Sequence, residues 1–146
     1  MKIHQFTSLG MFCDSVRSEL GGFKTIVGVY AGQFNVEKFP HKFAQLSVYV
    51  KTNHAKDAFL KNASIKLFID EQELISQDAD SKFIEGINSK VFPDGCSLGT
   101  FNTRLSINNL SIDKQCVLHA SITINDEETE VASLVIREKV TPQKSK

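Results

Sequence analysis

Four charged residues interrupt an otherwise strand-like segment, CDSVRSELGGFKTIVGVYAG at residues 13–32: Asp14, Arg17, Glu19 and Lys24. Carboxylates and cations in such proximity can serve general acid–base chemistry or anion binding, provided they converge on one spot and are drawn out of water. Gly21-Gly22 bears on whether they do. Read as a two-residue hairpin loop, where positive φ costs glycine little, the pair sets Leu20 opposite Phe23, Ser18 opposite Thr25 and Val16 opposite Val27 on a core side. Glu19 then faces Lys24 on the solvent side with Arg17 as a diagonal neighbour, a cross-strand ion pair contributing about 0.2–1 kcal/mol. Asp14 falls on the core side facing Val29, where a carboxylate needs a bulge, backbone N–H donors or Arg17. Structural anchoring is the expected role of the cluster, and ligand or partner binding by Asp14, Arg17, Glu19 and Lys24 is the functional reading beside it.

A second candidate is basic. Lys38, His41 and Lys42 open a stretch in which six lysines from Lys38 to Lys66 stand against Asp57 alone, while Asp70 to Glu85 holds six acids against Lys82. Asp126, Glu127, Glu128 and Glu130 form a further acidic run. Outward lysines keep strand edges soluble and unpaired. The functional reading is that opposite patches meet across two copies, or that the basic face takes an acidic partner or a small anionic ligand at Lys38, His41 and Lys42.

Other reactive residue types do not assemble into a signature. His4, His41, His54 and His119 are scattered, so no metal site and no cofactor are expected, and His119 reads as a surface histidine. Asp78 and Asp80, with Asp70 and Glu71, form an acidic loop reminiscent of a calcium site but without EF-hand spacing. A GxSxG elbow is missing, and no enzyme is expected; the catalytic alternative would use Asp14 with Glu19 or a loop carboxylate. Cys13, Cys96 and Cys116 are odd in number and far apart, which suits buried or free thiols in a reducing, cytoplasmic setting rather than a disulfide framework. MKIHQFTSLGMFCDSV is too short and too broken for a signal peptide or membrane span, so no membrane partner is expected. A formal net charge of zero removes the general attraction to phosphate on which nucleic-acid binding rests.

The elements that must position these residues read as strands, because apolar side chains recur at every second position. In residues 43–51 Ala44, Leu46, Val48 and Val50 alternate inward; in 62–70 Ala63, Ile65, Leu67 and Ile69; in 115–125 Cys116, Leu118, Ala120, Ile122 and Ile124. Turn residues punctuate them at Ala31-Gly32, Pro40, Asp70-Glu71, Pro93-Asp94-Gly95, Asn108-Asn109 and Asn125-Asp126. HAKDAFLK, residues 54–61, is the helical candidate, and residues 77–100 hold another edge strand or an ordered loop of the kind that carries function. The expected fold is all-β: an antiparallel β-sandwich of about eight or nine short strands with at most one short helix. One domain over 1–137 and a flexible tail over 138–146 complete the layout.

The pattern Cys13-Asp14-x-x-Arg17-x-Glu19-x-x-Gly22-x-Lys24, followed by Ile26-Val27-Gly28-Val29-Tyr30 and Phe39-Pro40, resembles a family of short bacterial and phage proteins grouped as a domain of unknown function. The likeness covers the first third of the chain well. It implies a small, soluble, β-rich protein of bacterial or phage origin and brings no activity, cofactor or catalytic residue. Together these readings favour a non-enzymatic protein–protein interaction module, for example an accessory protein that modulates a host defence, whose partner is another protein or a second copy as a homodimer. The alternative is a sponge or sensor for a small anionic or nucleotide ligand.

Overall fold

Alternating apolar residues do become strands. A computed structural model describes residues 5–142. In chain order they form β1 (Phe6–Ser18), β2 (Lys24–Val29), β3 (Gln33–Val36), β4 (His41–Ala55), β5 (Ala63–Ile69), β6 (Gln72–Asp78), α1 (Ser81–Asn88), β7 (Leu98–Ile112), β8 (Cys116–Ile124) and β9 (Glu127–Glu138). A four-stranded sheet runs β2-β1-β4-β7 and a five-stranded sheet β3-β9-β8-β5-β6. Among the described residues each pairing is antiparallel except that of β3 with β9. Nine strands in two sheets with one short helix match the fold class expected from the sequence.

The core lies between the sheets. Leu46, Val48 and Val50 of β4 meet Leu118, Ala120 and Ile122 of β8, flanked by Leu67 of β5, Leu105 of β7 and Leu134 and Ile136 of β9, all buried. Sequence alternation placed most of these correctly. Ala44 is exposed instead and Phe43 is buried, because Asn109 opposite Ala44 takes a left-handed φ of 56° and reverses the side-chain parity there. Asn108-Asn109 is therefore an irregularity inside β7 rather than a turn.

The helix is not where the sequence suggested it. Residues 54–61 finish β4 and continue without helix; Leu60 is buried with its N–H donated to Asn88 Oδ1 (2.9 Å) and its carbonyl accepting from Asn88 Nδ2 (2.8 Å). A side-chain amide thus supplies the bonds that a helical turn would have made internally. The helix forms at Ser81–Asn88, in the segment expected to be a loop or edge strand. Asp80 caps it by accepting the Phe83 N–H at 2.8 Å, and Phe83, Ile84 and Ile87 turn one face toward the core.

The hairpin register also differs from expectation. Ser18 pairs with Lys24, Arg17 with Thr25, Val16 with Ile26 and Ser15 with Val27, one residue off the expected set. The loop is Leu20-Gly21-Gly22, closed by the Glu19 N–H donating to the Phe23 carbonyl at 2.9 Å, with φ of 94° and 83° at the two glycines. A three-residue loop takes Leu20 out of the ladder, and both Leu20 and Phe23 project into solvent instead of the core. At the far end β9 runs through Glu138 and the Lys139 N–H donates to the Val36 carbonyl (2.8 Å), so the expected tail begins inside the fold; residues 143–146 lie outside the described residues. His4 does too, as do residues 1–3, while Phe6 to Val16 of the N-terminal stretch belong to β1. Among the described residues no helix is long and apolar enough to cross a membrane.

Candidate functional site

Asp14 is set by the pairs on either side of it. Cys13 faces Val29 and Ser15 faces Val27, which leaves Asp14 across from Gly28, not from Val29 in the core. Gly28 has φ of 65°, and a Cβ built there would overlap the Asp14 carboxylate, so the missing side chain is the space the carboxylate occupies. Asp14 is exposed and accepts the Tyr30 O–H at 2.6 Å. Burial, then the hydrogen bond and charge of Asp14, push the Tyr30 phenol well above its ordinary value. Burial, with Asp14 adding to it, also raises the Cys13 thiol, which holds it in the unreactive protonated form.

The other three charges of the hairpin do not join Asp14. Arg17 Nε lies 3.8 Å from Glu19 Oε1 along the same strand, and Lys24 Nζ donates to Ser18 Oγ at 2.6 Å. The expected Glu19–Lys24 pair is absent because the shifted register sets Lys24 opposite Ser18. An exposed pair such as Arg17–Glu19 contributes about 0–1 kcal/mol, so it trims the hairpin rather than building a site.

Lys38, His41 and Lys42 are likewise separated. His41 packs edge-on against Phe34 and Phe43, ring centroids 5.6 and 4.7 Å away, while its strand neighbour Lys42 points to solvent, as does Lys38. Tyr30 joins the same group, 5.1 Å from Phe34 and 6.0 Å from Phe43. The result is an aromatic cluster that ties Asp14, through Tyr30, to the start of β4. Nothing in the local pattern announces it, since it depends on the parallel docking of the four-residue β3 on β9.

The acidic loop divides in two. Asp78 and Asp80 line a cleft of about 220 Å³ with Ser64, Gln77, Phe83 and Thr103, whereas Asp70 and Glu71 lie at the opposite end of the seven-residue β6. Asp80 already serves as the helix cap. Among the described residues no group of three or more His, Cys, Asp or Glu is arranged to hold a metal ion. His119 is engaged rather than free at the surface: it stacks on Phe68 at 5.0 Å, its Nε2 donates to the Asp70 carbonyl, and its Nδ1 lies 3.8 Å from Glu130 Oε1.

What the sequence reading missed is apolar. Of eleven large hydrophobic side chains exposed among the described residues, five belong to the β1–β2 hairpin: Leu9, Leu20 (96% exposed), Phe23 (61%), Val27 and Val29. On the outer face of the same sheet Cys13, Val16 and Tyr49 form a small separate cluster with Met11 and Ile26, bounded by Arg104, whose Nη1 donates to the Val16 carbonyl at 2.9 Å. β2 stands at the edge of its sheet. The signal was present in the letters of Leu20, Phe23, Val27 and Val29, but a register in error by one residue turned Leu20, Phe23 and Val27 inward.

A search among curated proteins gives no match. Residues 8–137 match the model of a family of unknown function, and with most of its length covered the chain belongs to that family, DUF6941.

Proposed function

We propose that this protein is a non-enzymatic protein–protein interaction module that makes contact through its β1–β2 hairpin. One observation carries the reading: Leu20, Phe23, Val27 and Val29 are held in water on an edge hairpin. Burying a side chain of this size is worth about 1.5–3 kcal/mol, and a group of them on one element marks a surface that a partner covers. The polar groups support the same view. Asp14 is occupied by Tyr30, Cys13 is buried, and Arg17, Glu19 and Lys24 pair or hydrogen bond locally. Three free thiols suit a reducing, cytoplasmic setting, and a bacterial or phage accessory protein that modulates a host defence is a role compatible with this surface.

The test is capture from the native host with the wild-type chain and with a Leu20→Ser/Phe23→Ser variant of unchanged circular dichroism. A protein retained by the wild type and lost by the variant supports the reading. Equal retention by both contradicts it.

A further inference from the structure

We propose that the open edge of β7 receives an extended segment of another protein by strand addition, with a lysine or arginine of that segment seated in the acidic cleft beside the edge. The surface lies at the opposite edge of the four-stranded sheet from the β1–β2 hairpin and stands independently of it.

The ladder shows which backbone groups of β7 are unpaired. In an antiparallel pair, alternate residues turn both N–H and C=O toward the same neighbour. The Lys56 N–H donates to the Ser97 carbonyl at 3.1 Å, the register of β7 on β4 is unbroken from Leu98 to Asn108, and β7 takes no positive φ before Asn109. Gly99, Phe101, Thr103, Leu105 and Ile107 therefore bond to β4, and Asn102, Arg104 and Ser106 face the open edge. Two further bonds agree. The Ala55 N–H donates to the Gln5 carbonyl at 2.9 Å, which turns the odd-numbered residues from Ala55 back to Ser47 toward β1 and the even-numbered ones toward β7. The edge-facing carbonyl of Thr100 accepts from Lys90 Nζ at 3.5 Å, a residue outside the sheet.

An edge strand of fifteen residues is ordinarily guarded by charge or proline. β7 has no proline, and its single charge, Arg104, is turned back over the sheet, where Nη1 donates across β4 to the Val16 carbonyl at 2.9 Å. Lys90 covers Thr100, and the left-handed Asn109 ends the regular ladder. The unguarded span therefore runs from Asn102 to Asn108.

A strand added there lays alternate side chains over the cleft of about 220 Å³ that β7 shares with β5, β6 and α1. Sites that enclose a whole small molecule are larger, about 300–1,000 Å³, so this one suits a single side chain. Ala63, Ile65 and Phe83 line it with apolar surface for an aliphatic stem, and Asp78 and Asp80 supply the charge that a cationic head needs. Asp78 makes no ion pair among the described residues. Thr103 also lines the cleft, and its hydroxyl oxygen is buried with no hydrogen-bond partner among the described residues. An arriving ammonium or guanidinium would satisfy it.

The test is fluorescence anisotropy with the full chain and short labelled peptides of alternating serine and valine, one central position being Lys, Arg, Glu or Leu. The Lys and Arg peptides are expected to bind about tenfold more tightly than the Glu and Leu peptides. Methylation of the peptide backbone nitrogens that face β7 is expected to abolish binding, since main-chain hydrogen bonds carry this mode of recognition. Asn102→Pro removes an edge-facing N–H and no bond to β4, and is expected to abolish binding with circular dichroism unchanged. Asp78→Lys, which leaves the backbone alone, is expected to shift the preference to the Glu peptide. Absence of binding by every peptide overturns the proposal, as does binding indifferent to N-methylation or a preference for Glu or Leu over Lys in the wild type. Self-association in sedimentation velocity that Asn102→Pro removes also overturns it, and gives the edge to a second copy. None of the residues tested belongs to the hairpin, so each outcome leaves the reading of that element where it stands.

Discussion

Tyr30 donates its phenolic hydrogen to Asp14 across 2.6 Å, joining the edge hairpin to the aromatic cluster of Phe34, His41 and Phe43. Tyr30→Phe keeps the ring and removes the bond. A hydrogen bond to a charged acceptor is worth more than a neutral one, but Asp14 is exposed, so the expected loss is about 1 kcal/mol, read from denaturant unfolding.

The same tyrosine bears on alkaline stability. The Tyr30 phenol is raised above its ordinary 10.0, by burial first and then by Asp14, and Tyr49 is raised by burial. A folded-state value above the unfolded one means that the fold favours the protonated phenol. That contribution is fully present below about pH 10 and is lost as pH rises through the folded value. Tyrosinate absorbance of the folded protein is therefore expected to rise later than that of free tyrosine, above about pH 10, for Tyr30 and Tyr49, its two tyrosines. Ionisation of either near pH 10 in the folded protein contradicts this.

Gly28→Ala is expected to destabilise for two reasons: φ is 65°, and the new Cβ overlaps the Asp14 carboxylate. Removing the carboxylate relieves the second. In an Asp14→Ala background the cost of Gly28→Ala should fall to the backbone part, about 1–2 kcal/mol, which a double-mutant cycle on unfolding measures.

Gly99 of β7 is the corresponding position opposite His54, near the end of β4. A Cβ there overlaps the ring of His54, which is buried, donates from Nδ1 to the Ala55 carbonyl at 3.1 Å and stands 5.8 Å from Phe92. Gly99→Ala is expected to cost about 1–3 kcal/mol, as overpacking does in a filled interior. A Tm equal to wild type would show that His54 moves freely.

Asn88→Ala removes both bonds to the Leu60 backbone and leaves a donor and an acceptor beside a fully buried side chain. The expected loss is about 1–3 kcal/mol in denaturant unfolding, with hydrogen exchange rising first in residues 56–62.

These sites show what the sequence carries and what it withholds. The central strands β4, β5 and β8 were legible because each turns its aliphatic residues to the core at every second position, and a period of two is a direct imprint of that geometry. Gly21-Gly22 marked the turn but not its length, since two left-handed glycines serve a two-residue or a three-residue loop alike. One residue of error reassigned Lys24 from Ser18 to Glu19 and sent Leu20 and Phe23 inward. HAKDAFLK has helix-forming letters, yet the amides of Asn88 and Asn125, 28 and 64 positions away from the residues they hold, decide its backbone. The capping Asp80 followed by Phe83, Ile84 and Ile87 was the readable helix signal. Asp14 escaped the burial expected of it, because Gly28 left its carboxylate room to reach Tyr30.

The central claim, that the hairpin is the surface a protein partner covers, is tested most directly by photocrosslinking in the native host. A photoreactive phenylalanine at position 23 is compared with the same residue at Val91, an equally apolar position that is 87% exposed and outside the hairpin. Protein adducts at position 23, whether to a second copy or to another chain, with none at position 91, are the predicted result. Equal adducts at both positions, or adducts at position 91 alone, would contradict the account.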